Sequence, residues 1–219
     1  MAHNDALMTT HPLPLLQQRT PYGLFEVYTS DEAVSQIDYL QVSQIHSAEV
    51  IPYRPSQSSG EIAVLRADGL IYFHADISTS PRPNLLIKTA DCVPIFLGSK
   101  HGCAMLHAGW RGLHQKILHH PLIKQLQPDY AFIGPHICER CYQVGPEFQD
   151  HFPNSPGLKK KNDQWFFGLQ AEAIFQIQQL SAKIQIEHSD LCTFCDKRLH
   201  SYRRGNNKQR NYNIFRYTF

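Results

Sequence analysis

The sequence predicts a single α+β domain with a mixed, largely antiparallel sheet flanked by helices. Two observations favour this fold class. Segments rich in β-branched and aromatic residues recur along the 219 residues, and they mix with helix-like segments without a regular strand-helix-strand alternation. We expect one domain over residues 1–219, in which residues 1–23 form a peripheral N-terminal segment.

Strands are predicted where apolar, β-branched or aromatic residues cluster between turn-forming residues. The predicted strands are Leu24–Tyr28, Leu40–Ile51, Ile62–Leu65, Leu85–Lys88, Val93–Leu97, Cys103–His107, Tyr130–Ile133, Lys183–Glu187 and Tyr212–Tyr217. The segment Gly98–Gly102 has the composition of a tight turn, so we expect the strands on either side of it to pair as an antiparallel hairpin.

Helices and loops are predicted from local signals. Thr29 to Glu32 fit a capping box that opens a short helix, and Gly112–Leu118 opens another. In Leu169–Leu180, apolar residues recur at the spacing of one helical face. Segments rich in Pro, Ser, Gly or Lys are predicted as surface loops, namely Arg54–Gly60, Ser78–Pro83 and Phe152–Asp163.

Charge and composition exclude several classes of partner. The chain has 21 Lys plus Arg against 19 Asp plus Glu, and this net charge of +2 favours neither nucleic acid nor a membrane surface. No apolar run could span a bilayer, and residues 1–20 lack the features of a signal peptide. We therefore expect a cytoplasmic protein that acts on small molecules, whose 6 cysteines are free thiols or ligands rather than disulfides.

Cys92 and His107 stand at adjoining ends of the predicted hairpin, so strand pairing would bring them together. A thiolate beside an imidazole is a nucleophile with its base, a pair of metal ligands, or a buried cysteine near a structural histidine. Arg111 follows in a glycine-containing segment that permits a helix start near an anion. His46, beside polar residues, is by itself more typical of a structural histidine.

Short motifs along the chain together resemble one family. They are Gln44–His46, Ala67–Leu70, Thr89–Pro94, His107–Gly112, Ile133–Pro135, Cys141–Gly145, Cys192–Thr193 and Ser201–Arg204. From Leu24 to Phe219 the chain resembles the laccase-domain family, also named polyphenol oxidase or peptidoglycan editing factor. The segments T-A-D-C and H-A-G-W-R-G are the most specific of these motifs.

The resemblance implies a single catalytic zinc ion. In that family the metal is held by positions that match His46, Cys92 and His107. Three protein ligands leave one coordination position open, as in catalytic zinc sites, and copper is the alternative metal. The chain departs from the family after Ser201–Arg204, where Gly205 replaces the usual Asp and Lys208-Gln-Arg210 replaces T-G-R, in a loop that could line the substrate pocket.

The resemblance also implies an activity. Members are described as purine nucleoside phosphorylases with accompanying adenosine deaminase activity, so the implied substrates are adenosine, inosine or methylthioadenosine, with phosphate. Guanidinium groups suit phosphate, and the predicted phosphate-binding residues are Arg111, Arg203 and Arg204. For deamination, zinc would activate the attacking water. The predicted catalytic residues are Cys92, His107 and Asp91, the last to orient or deprotonate that water unless its carboxylate is structural.

Three other functions stay open at this point. Cys92 as a free thiolate with His107 as base would give an amide hydrolase acting on peptidoglycan precursors. A copper-dependent polyphenol oxidase is less favoured, because multicopper sites typically need paired His-x-His motifs and the sequence has none. A metal-dependent binding module is the non-enzymatic alternative.

Two Cys-x-x-Cys pairs, Cys138–Cys141 and Cys192–Cys195, suggest a zinc ribbon. The gap between them is much longer than the roughly 15–20 residues of a ribbon. A second structural zinc and separately buried thiols are therefore both possible interpretations.

Overall fold

The structure is a computed structural model that describes residues 13–76, 82–205 and 208–218. Its strands are β1 (Leu16–Thr20), β2 (Gly23–Tyr28), β3 (Val50–Pro52), β4 (Gly69–Phe73), β5 (Leu85–Thr89), β6 (Val93–Ser99), β7 (Gly102–Ala108), β8 (Tyr130–Ile133), β9 (Gln143–Val144), β10 (Leu158–Lys161), β11 (Gln164–Phe167), β12 (Gln185–His188) and β13 (Asn211–Tyr217). Its α-helices are α1 (Asp31–Val34), α2 (Ser59–Ala63), α3 (Trp110–His114), α4 (Pro121–Leu126), α5 (Phe148–His151) and α6 (Leu169–Leu180). Single 3-10 turns cover His74–Asp76, Ile117–His119 and Glu139–Cys141.

The strands form three sheets. The largest has six strands in the order β12-β8-β6-β7-β4-β3, a second has four in the order β1-β2-β13-β5, and a third has three in the order β10-β11-β9. Strand pairing is antiparallel except for β12 with β8 and β3 with β4. The predicted α+β class with a mixed, largely antiparallel sheet is confirmed, although the strands divide among separate sheets.

Alternation along the central strands explains how the layers pack. Ile95 and Leu97 of β6 join the cluster that contains the α6 residues Ala173 and Ile177. Phe96, between them, points to the opposite face and stacks on Phe215 of β13 with ring centroids 4.0 Å apart. Successive side chains of a strand point to opposite faces, so the six-stranded sheet packs against helices on one side and the four-stranded sheet on the other.

Several local predictions are confirmed. Strands β6 and β7 form the hairpin around Gly98–Gly102, and α6 covers Leu169–Leu180. Helix α1 forms where the capping box was predicted, but Ser30 rather than Thr29 caps it by accepting from the Ala33 N–H. Helix α3 begins earlier than predicted, at Trp110, because the chain leaves β7 directly into a helical turn.

Two strand predictions are wrong. Ile62–Leu65 was predicted as a strand, but Ser58 and Glu61 form a reciprocal capping box that starts α2 in this region. Leu40–Ile51 was predicted as one strand, but only Val50–Pro52 is a strand, with isolated bridges from Leu40 and Ser43. The backbone N–H groups of residues 45–47 donate to the Asp68 carboxylate instead of to a neighbouring strand.

The loop prediction for Phe152–Asp163 is wrong in its second half. β10 and β11 form an antiparallel hairpin whose turn residues, Asn162 and Asp163, both have positive φ. Asn and Asp tolerate that conformation, which suits two-residue hairpin turns. β4 was not predicted, although its sequence GLIYF is a continuous apolar run typical of a buried strand.

At the ends of the chain, β1 lies at the edge of the four-stranded sheet, within the segment predicted to be peripheral. Most of the predicted loop Ser78–Pro83 lies outside the described residues. Within the parts of the chain that the structure describes, no helix has the length and apolar character needed to cross a bilayer.

Candidate metal centre

His46, Cys92 and His107 converge on one point. Their ligand atoms all lie within 4.8 Å of one another, and the imidazole rings of His46 and His107 meet edge to face with centroids 4.8 Å apart. The register of the β6–β7 hairpin explains why Cys92 and His107 meet. His107 pairs with Pro94 of β6, and Cys92 lies just before β6 begins. The structure thus brings together the three residues that the family resemblance implies as ligands.

The site lies where the chain passes from one sheet to another. β5 ends at Thr89 in the four-stranded sheet, and β6 begins at Val93 in the six-stranded sheet. Within this crossing Asp91 has φ of +89°, and across the site His46 has φ of +59°. Backbone strain in non-glycine residues often accompanies functional sites, where the surrounding contacts hold it in place.

Asp68 organises two of the three presumed ligands. Its buried carboxylate accepts from Nδ1 of His107 at 2.7 Å and from the backbone N–H of His46 at 2.9 Å. It also accepts from the N–H and hydroxyl groups of Ser47, and its own carbonyl accepts from the His107 N–H. A carboxylate on one imidazole nitrogen fixes the ring and leaves the other nitrogen for a metal. Asp68 lies in the family motif Ala67–Leu70, but the motif alone predicted no role for it.

The charges in the site favour a thiolate. Burial raises the pKa of the Cys92 thiol, but attraction to His107 and hydrogen bonds from both histidines outweigh burial and lower that pKa to about 6. Burial lowers the pKa of His107, but Cys92 and Asp68 together raise it to about 9. Burial likewise opposes ionisation of Asp68, but hydrogen bonds from His107 and Ser47 lower its pKa to about 2. Without a metal, the pair therefore exists as thiolate and imidazolium near neutral pH.

These residues suit a zinc ion. One thiolate and two imidazoles are the donors that zinc prefers, and they leave one position open. The chain also leaves room for them: a Cβ added at Gly109 would lie 2.9 Å from the Cys92 sulfur and 3.7 Å from Cδ2 of His46. A residue without a side chain at position 109 therefore lets the helix start of α3 approach the donors closely.

We expect the lowered pKa of Cys92 to govern its reactivity in metal-free protein. Alkylation by iodoacetamide should reach half its maximal rate near pH 6 and slow as the pH falls further, because protonation removes the thiolate. Peptide mass spectrometry resolves this cysteine from the others. Cys103 is the internal control, since burial raises its pKa to about 12. A Cys92 midpoint near the ordinary value of 9.0 would contradict the expectation.

A cavity of about 770 Å³ opens beside the three donors. Its size is within the range of small-molecule sites, roughly 300–1,000 Å³. Among the described residues that line it, the cationic ones are Lys88, Arg111, Arg203 and Arg210. Asp91 is the acidic residue in the same set, so cations predominate and the cavity suits an anion. Lys88 and Arg210 had no predicted role, because neither adjoins a ligand in the sequence.

The predicted arginines have different positions. Arg111 lines the cavity and lies over the Trp110 ring, 4.9 Å from its centroid. Arg203 also lines it, packs over the Tyr142 ring at 5.1 Å and donates to the Gln143 carbonyl. Arg204 is absent from the lining residues, and its guanidinium donates to the carbonyl oxygens of Thr193, Phe194, Asp196 and Leu199.

Asp91 lines the cavity, and both of its carboxylate oxygens have partners. Oδ1 accepts from the Thr193 hydroxyl at 2.6 Å, and Oδ2 accepts from the Arg203 backbone N–H at 2.7 Å. These contacts join the sheet crossing to the loop that carries Arg203. Its predicted part in water activation stays a prediction.

Curated relatives of this chain include proteins named purine nucleoside phosphorylase. That of Aquifex aeolicus is 39% identical over 128 residues, 57% of this chain and 61% of the relative. That of Clostridium acetobutylicum is 30% identical over 186 residues, 78% of this chain and 72% of the relative. The chain thus spans less than two thirds of the length of the Aquifex protein.

Solved structures show the same fold. The Bacillus licheniformis hypothetical protein YfiH superposes with a TM-score of 0.70 at 23% identity, covering 83% of this chain and 74% of that one. A Neisseria meningitidis protein superposes with a TM-score of 0.68 at 20% identity, covering 93% and 90%. A family model described as multi-copper polyphenol oxidoreductase laccase matches residues 28–214. The chain therefore belongs to the multi-copper polyphenol oxidoreductase laccase family.

Proposed function

We propose that this protein is a zinc-dependent purine nucleoside phosphorylase that also deaminates adenosine. The observation that carries the proposal is the cavity, which joins a three-donor metal site to a set of cationic side chains. The relatives named purine nucleoside phosphorylase support the same activity. Phosphorolysis needs a site for phosphate and a site for the nucleoside within one enclosed space, and the cavity is large enough for both.

The chain's own residues account for phosphate binding. Phosphorolysis replaces the bond between C1′ of the ribose and N9 of the purine with a bond from C1′ to a phosphate oxygen. Arg111 and Arg203 present guanidinium groups to the cavity, and such groups hold phosphate through paired charged hydrogen bonds. Each guanidinium packs on an aromatic ring, which restricts its rotamers before phosphate arrives.

Asp91 and Arg204 position the phosphate-binding Arg203, and the three clustered donors would hold the metal. Asp91 fixes the backbone of Arg203, and Arg204 holds its own loop through four carbonyl oxygens, so both act on phosphate binding through Arg203. His46, Cys92 and His107 would hold zinc. When bound, zinc supplies a Lewis acid and the water activation that deamination at C6 of adenine requires.

The test is product analysis with adenosine and with inosine, in the presence and absence of phosphate. We expect free base and ribose 1-phosphate only with phosphate, and ammonia from adenosine without it. No phosphate-dependent release of base from either nucleoside would refute phosphorolysis, and no ammonia from adenosine would refute deamination.

Replacing Arg203 with alanine should raise the KM for phosphate by roughly tenfold or more, because a charge-assisted contact to an ion contributes about 1.5–3 kcal/mol. Substrate kinetics at varied phosphate concentration measure the effect. Arg19, exposed on β1, provides the matched control, and Arg19→Ala should leave the KM unchanged. A normal KM for phosphate in Arg203→Ala would remove Arg203 from the phosphate site.

A Cys-His amide hydrolase acting on peptidoglycan precursors is the second candidate. The lowered pKa of Cys92 and the raised pKa of His107 favour it, since a thiolate-imidazolium pair is the resting form of cysteine hydrolases. His46 has no part in such a dyad, whereas it completes a metal site. Metal-stripped protein that hydrolyses amides and loses activity on alkylation would favour the hydrolase. Activity that requires stoichiometric zinc would favour the phosphorylase.

A further inference from the structure

The four remaining cysteines outside the core form a second cluster. The sulfurs of Cys138, Cys141, Cys192 and Cys195 all lie within 4.8 Å of one another. The sulfurs of Cys141 and Cys195 are 3.4 Å apart. Four sulfurs around zinc, each at roughly 2.3 Å from it, lie roughly 3.8 Å from one another. The separations in the cluster are therefore close to those of a tetrahedral thiolate site.

Strand topology explains why two pairs so far apart in sequence meet. β8 and β12 are neighbouring parallel strands, with His188 opposite Ile133 at their carboxyl ends. Each strand leads into a loop that carries one Cys-x-x-Cys pair after nearly the same number of residues. The loops continue side by side through a bridge between His136 and Cys192. A zinc-ribbon spacing rule does not apply, because the two halves of the site belong to different strand connections.

We propose a second metal site, a structural zinc centre with four thiolate ligands, formed by Cys138, Cys141, Cys192 and Cys195. Zinc favours such an all-sulfur donor set, whereas magnesium and calcium require oxygen donors. The backbone N–H of Cys138 donates to the Cys192 sulfur at 3.2 Å, a contact that stabilises a metal-bound thiolate. Binding would replace four S–H bonds with four Zn–S bonds and release the thiol protons to water.

The proposed zinc would cross-link the two loops that form one wall of the cavity. The first loop continues to Tyr142, and the second continues through Thr193 to Arg203. Away from the cysteines the loops also contact each other directly: the Thr193 N–H donates to the His136 carbonyl, and Arg203 donates to the Gln143 carbonyl. A metal at the cysteines would fix their separation without touching substrate. The inference does not depend on the proposed function.

Disulfide formation is the competing chemistry for four clustered thiols. A disulfide requires a sulfur separation of roughly 2.05 Å, much shorter than the 3.4 Å between Cys141 and Cys195. Oxidation would also join the thiols only in pairs, whereas all four sulfurs lie within 4.8 Å of one another. Intact mass under denaturing, non-reducing conditions distinguishes the two states, because each disulfide removes two hydrogens.

Metal analysis tests the proposal. Full-length protein purified in zinc-containing medium should hold two zinc ions per chain. Cys92→Ala should retain one zinc ion. Cys195→Ser changes an exposed position, and after dialysis against a chelator it should also retain one. Cys103→Ala is the matched control, because Cys103 belongs to neither cluster, and it should retain two.

Cobalt provides a second measurement that leaves all four cysteines in place. Cobalt-loaded Cys92→Ala should show the intense sulfur-to-cobalt charge-transfer absorption of a tetrathiolate site. Amide hydrogen exchange in residues 136–144 and 190–205 should increase when the metal is removed. One zinc in the parent protein and none in Cys92→Ala would overturn the proposal. Disulfides in freshly purified parent protein, or a cobalt spectrum without thiolate bands, would overturn it too.

Discussion

Asp68→Asn will lower the zinc affinity of the His46-Cys92-His107 site by roughly 10–100-fold, the usual cost of losing a carboxylate behind a metal-ligating histidine. The variant will also lower the free energy of unfolding by about 3 kcal/mol. The buried carboxylate accepts from four N–H groups and one hydroxyl. An asparagine has one acceptor oxygen, and its NH₂ group would face donors that it cannot satisfy.

Zinc titration with a competing indicator and urea unfolding measure these two effects. The exposed residue Asp38 is the control, and Asp38→Asn should change neither quantity. The pH dependence has a definite sign. Because the pKa of Asp68 is lowered from 3.8 to about 2, its stabilising effect is present above the ordinary value and is lost as the pH falls through about 2. Parent-like zinc affinity in Asp68→Asn would show that this carboxylate does not orient His107.

Gly109→Ala is expected to weaken zinc binding at least about tenfold while the fold persists. Gly109 has φ of −76°, a value open to alanine, so the cost is steric rather than conformational. The new methyl group would lie 2.9 Å from the Cys92 sulfur, and either the thiolate or the start of α3 would have to move. Overpacking of this kind costs about 1–3 kcal/mol, and here the displaced atom is a metal donor.

Gly60→Ala is the matched control for that variant. Its added Cβ would meet only the Ser58 hydroxyl, at 4.0 Å, at an exposed position of helix α2. We expect unchanged zinc affinity and a gain in stability of up to about 1 kcal/mol, because alanine is the better helix former. Equal zinc affinity in Gly109→Ala and Gly60→Ala would mean that the donors tolerate a side chain at position 109.

Local patterns in the sequence predicted those parts of the fold that depend on local interactions. The hairpin of β6 and β7 has a turn between two apolar strands, and α6 has a clear apolar face, so both were predicted near their observed bounds. The strand prediction around Ile62 was wrong. The apolar residues there suggested a strand, but the capping box of Ser58 and Glu61 starts a helix. Local capping prevailed over composition there.

The candidate metal site was predictable only in part, again because sequence patterns reveal local contacts and not long-range ones. Cys92 and His107 are neighbours through a hairpin, which sequence reasoning can detect. His46 reaches them through a coil held by Asp68, and nothing in its own segment signals that contact. Arg204 has the residue type of a phosphate ligand, but its guanidinium donates to four backbone carbonyl oxygens. Side-chain direction decides such roles, and sequence motifs do not encode it.

The long-range placement of His46 also makes metal occupancy a measure of complete folding. Cys92 and His107 meet through one hairpin, but His46 joins them only when its coil is held by Asp68, and two donors bind zinc more weakly than three. Metal that binds only the native state stabilises it by mass action. Zinc should therefore raise the thermal midpoint of the whole domain in one cooperative step, and misassembled chains should be the first to lose their metal to a chelator.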